Sequence, residues 1–123
     1  MRVEGPIPYD AALQEMTRAD VLLIFQDAFC NHLVPAKLYE YIRTQRPVLA
    51  LADHAGETAD LVREAGAGLV LDIASAAEIR AALPDFLRSV RDGSAPHASL
   101  EVARRYGRRE QAGELASLFD RLA

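Results

Sequence analysis

Three short apolar runs constrain the fold more than any other feature: Val21-Leu-Leu-Ile-Phe25, Pro47-Val-Leu-Ala-Leu51 and Leu69-Val-Leu-Asp-Ile73. Each has the length of one strand. The runs are close to continuous rather than alternating, the pattern of strands buried on both faces of a parallel sheet. Between them lie segments with helical spacing of apolar residues. Parallel strands need a crossover of a dozen residues or more, and a helix supplies it. The pattern predicts an α/β domain with a parallel sheet and right-handed crossovers.

The boundaries follow from local chemistry. Tyr9 to Arg18 reads as a helix, with Ala12, Leu13 and Met16 on one side. The stretch Gln26 to Val34 is a loop, and Pro35 opens a helix to Thr44, because its fixed φ and missing N–H suit the first turn. Thr58 to Ala65 is the next helix, with Gly66 or Gly68 as its stop. Ser75 with Glu78 three residues on forms a capping box for a helix over Ala76 to Val90, which carries Pro84 as a bend point. Residues 92–98 read as a linker, and Ser99 to Leu122 as one or two helices with Leu115, Leu118, Phe119 and Leu122 at helical spacing. Arg2 to Gly5 is a weaker strand candidate. The expected fold is a partial Rossmann-like three-layer domain with a short parallel sheet of three to four strands and C-terminal helices. Residues 1–123 form a single domain on this reading.

Composition excludes several function classes. A net charge of −4 argues against a nucleic-acid binder, which needs a basic face. Cys30 is the only cysteine, so no internal disulfide or cysteine metal site is expected, and a reducing, cytoplasmic setting is the default. No G-x-G-x-x-G or P-loop sequence occurs. The arginines Arg104, Arg105, Arg108 and Arg109 alternate with Glu101, Glu110 and Glu114, which reads as a solvated face; peripheral contact with an acidic membrane surface is the alternative.

Lys37 is the only lysine beside thirteen arginines, and Glu40 follows it at i+3 on the same helix. A helix N-terminus and an ammonium suit phosphate, and a carboxylate accepts two hydrogen bonds from a ribose diol. The plain alternative is a surface Lys–Glu pair worth a few tenths of a kcal/mol. Asn31 and His32 lie in the preceding loop, where His32 reads either as a sugar-hydroxyl contact or as a solvated side chain. Asp53, His54 and Glu57 read as a turn and a helix start rather than a metal or triad cluster, and no metal is expected. A receiver-type signalling domain is disfavoured because no acidic pair precedes Asp27.

Several segments together resemble the C-terminal, nucleotide-sugar-binding domain of GT-B-fold glycosyltransferases of the group 1 (family 4) type. They are Gly5-Pro-Ile-Pro-Tyr9, Met16 to Phe25, Val34-Pro-Ala-Lys-Leu-Tyr-Glu-Tyr41, Arg46-Pro-Val-Leu49, Gly56-Glu57, Gly66-Ala-Gly68 and Arg105-Tyr106. The resemblance implies that Glu40 binds the donor ribose. It also implies that Lys37 and the backbone of Leu33, Val34, Pro35 and Ala36 meet the diphosphate. The family's first glutamate, a donor-sugar contact, is replaced here by His32, with Asn31 beside it. The implied ligand is a nucleotide-diphosphate sugar as substrate, with no further cofactor. The implied enzyme would be inactive alone, because the acceptor domain and the first strands of the donor domain are missing. Three partner readings follow: the missing N-terminal domain, self-association through an exposed sheet edge, or a separate subunit on which a non-catalytic module docks.

Overall fold

The computed structural model describes residues 5–122. Its elements run α1 Tyr9–Arg18, β1 Leu22–Gln26, a one-turn 3-10 helix Ala28–Cys30, α2 Ala36–Thr44, β2 Val48–Ala52, α3 Glu57–Glu64, β3 Gly68–Leu71, α4 Ala76–Asp92, α5 Leu100–Arg105 and α6 Arg108–Leu122. The three strands form one parallel sheet in the order β1-β2-β3, with Leu22 opposite Val48 and Val48 opposite Gly68. The chain is therefore α/β of the open parallel-sheet class. The strand expected over Arg2 to Gly5 lies, up to Glu4, outside the described residues; Gly5 itself is irregular.

Alternation along each strand divides the core in two. On one face Leu22, Ile24, Val48, Ala50 and Val70 pack with Leu38, Tyr41 and Ile42 of α2 and Ala59, Leu61 and Val62 of α3. Met16 of α1 and Val102 of α5 close the margins of that layer. On the other face Leu49 and Leu71 pack against Phe86 of α4, with Ile79, Leu83 and Val90 around it. Helices thus flank the sheet on both sides, and one side has α4 alone.

That asymmetry corrects one expectation. The run Val21–Phe25 reads as a strand buried on both faces, yet Leu23 is 43% and Phe25 61% exposed. Leu22 and Ile24 are buried. The physical reason is coverage: α4 packs over Leu49 of β2 and Leu71 of β3, and no residue of β1 belongs to that layer. Apolar residues cannot report whether a covering helix is present.

The local signals otherwise act as their chemistry requires. Pro35 stands immediately before α2, and its carbonyl accepts from Leu38 N at 2.8 Å. Gly66 ends α3 with φ of 57°, a left-handed conformation that a side chain resists. Ser75 Oγ accepts from Glu78 N at 3.2 Å, but the reciprocal half of the expected capping box is absent. Instead Glu78 accepts from Asp72 N and meets His54. The helix α4 continues through Pro84. In the connecting segment after α4, Ala95 and Ala98 are buried, so this stretch holds α5 against the core. The last helix is different: α6 has no buried residue, and Leu115, Leu118, Phe119 and Leu122 all face solvent.

Candidate functional site: a tyrosine and arginine groove around Glu40

The fold brings Glu40 into a groove of about 640 Å³ between α1, α2 and the α5–α6 corner. Its lining is Tyr9, Ala36, Tyr39, Glu40, Arg43, Tyr106, Arg108 and Gln111. Helical periodicity explains the share from α2. Leu38 and Ile42 point into the core, so Ala36, Tyr39, Glu40 and Arg43 occupy the opposite side of the helix. Tyr106, at the end of α5, brings its ring to 5.9 Å from that of Tyr39 in a tilted pair. Tyr9, the first residue of α1, donates its hydroxyl to Glu40 Oε1 at 2.9 Å. This bond and the Glu40 charge hold the phenol in its neutral form and raise its pKa above the ordinary tyrosine value. One carboxylate oxygen is fixed, and a carboxylate retains further lone pairs for a ligand hydroxyl.

The residues singled out in sequence divide into those at the groove and those elsewhere. Glu40 and Ala36 line it. Pro35 precedes Ala36 as the cap of α2, and Val34 is half-buried against the core. Leu33 is exposed, while its carbonyl accepts from Gln26 Nε2 and Thr58 Oγ1, which fixes the loop backbone. Lys37 is exposed and is not among the groove-lining residues; it forms no ion pair with Glu40. His32 is exposed in the turn before α2.

Asn31 ties the loop to the next crossover. Its Nδ2 donates to Asp53 Oδ2 at 2.8 Å, and its carbonyl accepts from Glu57 N at 2.9 Å. A Cβ at Gly56 would come within 2.7 Å of Asn31 Oδ1, so glycine is what lets the two loops close together. The Nδ2 group is thereby committed to the scaffold, whereas Asn31 Oδ1 is buried and has no hydrogen-bond partner among the described residues.

A second polar cluster joins β2, α3 and α4. Arg63 Nη2 lies 2.7 Å from His54 Nδ1 and can only donate, so Nδ1 is the acceptor. The ring hydrogen then sits on Nε2, which reaches Glu78 Oε1 at 2.7 Å. Both imidazole nitrogens are engaged, which suits a clamp rather than a proton carrier. The His54 bond holds the Glu78 carboxyl below its usual range, and the Ala55 N–H does the same for Asp53, with Asn31 second. Ser94 lowers Asp92 in the same way. Depressed carboxyls bind protons less readily folded than unfolded, so they stabilise above the unfolded pKa and that contribution is lost as pH falls through the folded one. The melting temperature is expected to drop as pH falls from about 5 to 3. Glu78→Gln should shallow that slope; an unchanged slope would show that the clamp contributes nothing.

Arg43, Arg108 and the three tyrosines were not singled out as site residues in the sequence. They come from separated segments, and no spacing rule links them. The arginine alternation in 101–114 was the one available signal, and Arg108 and Gln111 at i and i+3 share the side of α6 that meets the groove. Among the described residues no group of three or more histidine, cysteine, aspartate or glutamate side chains is placed to hold a metal. No described helix is long and apolar enough to cross a membrane. The fold and groove define an open α/β parallel-sheet protein with a polar, aromatic cleft. No family model, curated protein or solved structure matches the chain.

Proposed function

We propose that this chain is a glycosyltransferase-like donor domain that binds the nucleotide diphosphate of an activated sugar. The observation that carries this reading is the groove around Glu40. It combines a carboxylate suited to a ribose diol, tyrosine rings suited to a base, and cations suited to phosphate. Its volume falls within the range of about 300–1,000 Å³ usual for small-molecule sites. Two sets of cations compete for the diphosphate. One is the N-terminal end of α2 with Lys37; the other is Arg43 and Arg108. Asn31 and His32 remain the donor-sugar candidates, His32 being the freer of the two. This groove is the donor half of a transferase, so turnover requires an acceptor-binding partner.

Calorimetric titration with UDP, GDP, ADP and their sugars tests the reading. Binding of at least one is expected, and Glu40→Ala should weaken it by about 1–3 kcal/mol through lost hydrogen bonds to a charged acceptor. Unchanged affinity would remove Glu40 from the ribose. Absence of heat from a folded chain would favour the second reading, a non-catalytic docking module. That reading has its own support in the uncovered Leu23 and Phe25 side of β1.

A further inference from the structure

We infer that Arg43 of α2 and Arg108 of α6, rather than Lys37, form a two-armed clamp for the ligand's phosphate groups, and that α6 is drawn onto the groove when the clamp closes. This rests on the nucleotide-binding reading above and assigns its anion contacts. Both arginines line the groove and Lys37 does not. Among the described residues Glu40 is the only acidic side chain lining it, so two guanidiniums face one carboxylate that is already engaged by Tyr9. The positions of the two cations are consistent with this: both act on the Tyr9 hydroxyl and oppose the influence of Glu40 there. Neither arginine forms an ion pair within 4 Å among the described residues, whereas Arg105 pairs with Glu101. A planar guanidinium offers a phosphate two parallel donors, which an ammonium cannot.

The second part follows from how α6 is held. Among the described residues its only substantial packing is on α5, and none of its own is buried. Its first turn nevertheless supplies Arg108 and Gln111 to the groove. An anion bridging Arg108 to Arg43 therefore adds a contact between α6 and α2. Such a helix lies at the low-stability end of the molecule and opens locally with little cost. A ligand that binds only the closed arrangement shifts that equilibrium.

The experiment uses the whole chain with UDP and, separately, inorganic pyrophosphate. Arg43→Ala and Arg108→Ala should each weaken UDP binding roughly tenfold to a hundredfold, while Lys37→Ala and Arg109→Ala change it less than threefold. Hydrogen exchange of the α6 amides should slow on adding UDP and remain fast in Arg108→Ala. All these positions are exposed, so circular dichroism should be unchanged. If UDP binds in a Glu40-dependent way but Arg108→Ala matches the parent, or Lys37→Ala is the damaging change, the clamp is overturned and the donor-domain reading stands. Pyrophosphate that binds through Arg43 and Arg108, with no nucleotide discrimination, keeps the clamp and overturns the nucleotide assignment. UDP binding with no change in α6 exchange refutes the closure.

Discussion

Gly68→Ala is expected to destabilise the fold by about 3 kcal/mol or more, as the harsher cases of overpacking do. Intrinsic propensity points the other way: glycine inside a strand costs about 0.5–1 kcal/mol relative to alanine, so an exposed site would gain from the change. The deciding fact is what a methyl group would meet. A Cβ at Gly68 would lie 1.8 Å from the Val48 carbonyl oxygen and 2.6 Å from its carbonyl carbon and amide nitrogen. These are backbone atoms of the central strand, and Val48 itself is fully buried. They cannot swing aside as a side-chain tip would. Relief requires β3 to move from β2, which also strains the Val48 N to Ala67 O bond of 2.9 Å. Urea unfolding of the two proteins measures the difference. A variant as stable as the parent would mean that β2 and β3 are not this close.

Leu38→Ala is the second large effect. Leu38 is completely buried in the first turn of α2, against the face of the sheet formed by Ile24 and Ala50. Truncation removes the transfer energy of its side chain and leaves a cavity, a combined cost of about 2–5 kcal/mol. A domain with the usual 5–15 kcal/mol of total stability loses much of its margin. Leu118→Ala is the matched control, since Leu118 is 42% exposed on α6 and a surface change of this kind is usually within about 0.5 kcal/mol. Denaturant midpoints should separate the two clearly. Equal midpoints would show that α2 does not seat Leu38 on the sheet. Because Leu38 and Glu40 share α2, a groove that fails in Leu38→Ala fails through lost packing, which Glu40→Ala does not imitate.

The parts legible in the sequence are those governed by near neighbours. The helix Tyr9–Arg18 has its expected bounds, and the three apolar runs are strands within a residue or two. Pro35, Gly66 and Ser75 mark helix ends because capping depends on a few adjacent residues. Burial of the second face of β1 was not legible. It depends on where α4 lies, and α4 begins fifty residues after β1 ends. The groove was half legible. Glu40 stands out from its motif, but Tyr9, Tyr106 and Arg108 reach it only through the packing of α1 and α5 on α2. Asn31 shows the opposite case: a polar loop residue beside a candidate site ties its Nδ2 to Asp53 and its backbone carbonyl to Glu57.

The middle position of β2 has a consequence for the order of assembly. Among the described residues β1 and β3 do not pair with each other, and both form their ladders only with Val48–Ala52. No hydrogen bond of this sheet can therefore form before β2 is extended and in place. The two closures that bring it there are each one helical crossover long, so their entropy cost rises slowly with length and is nearly equal. Assembly has two doors of similar height, one through α2 and one through α3, and β2 stands behind both.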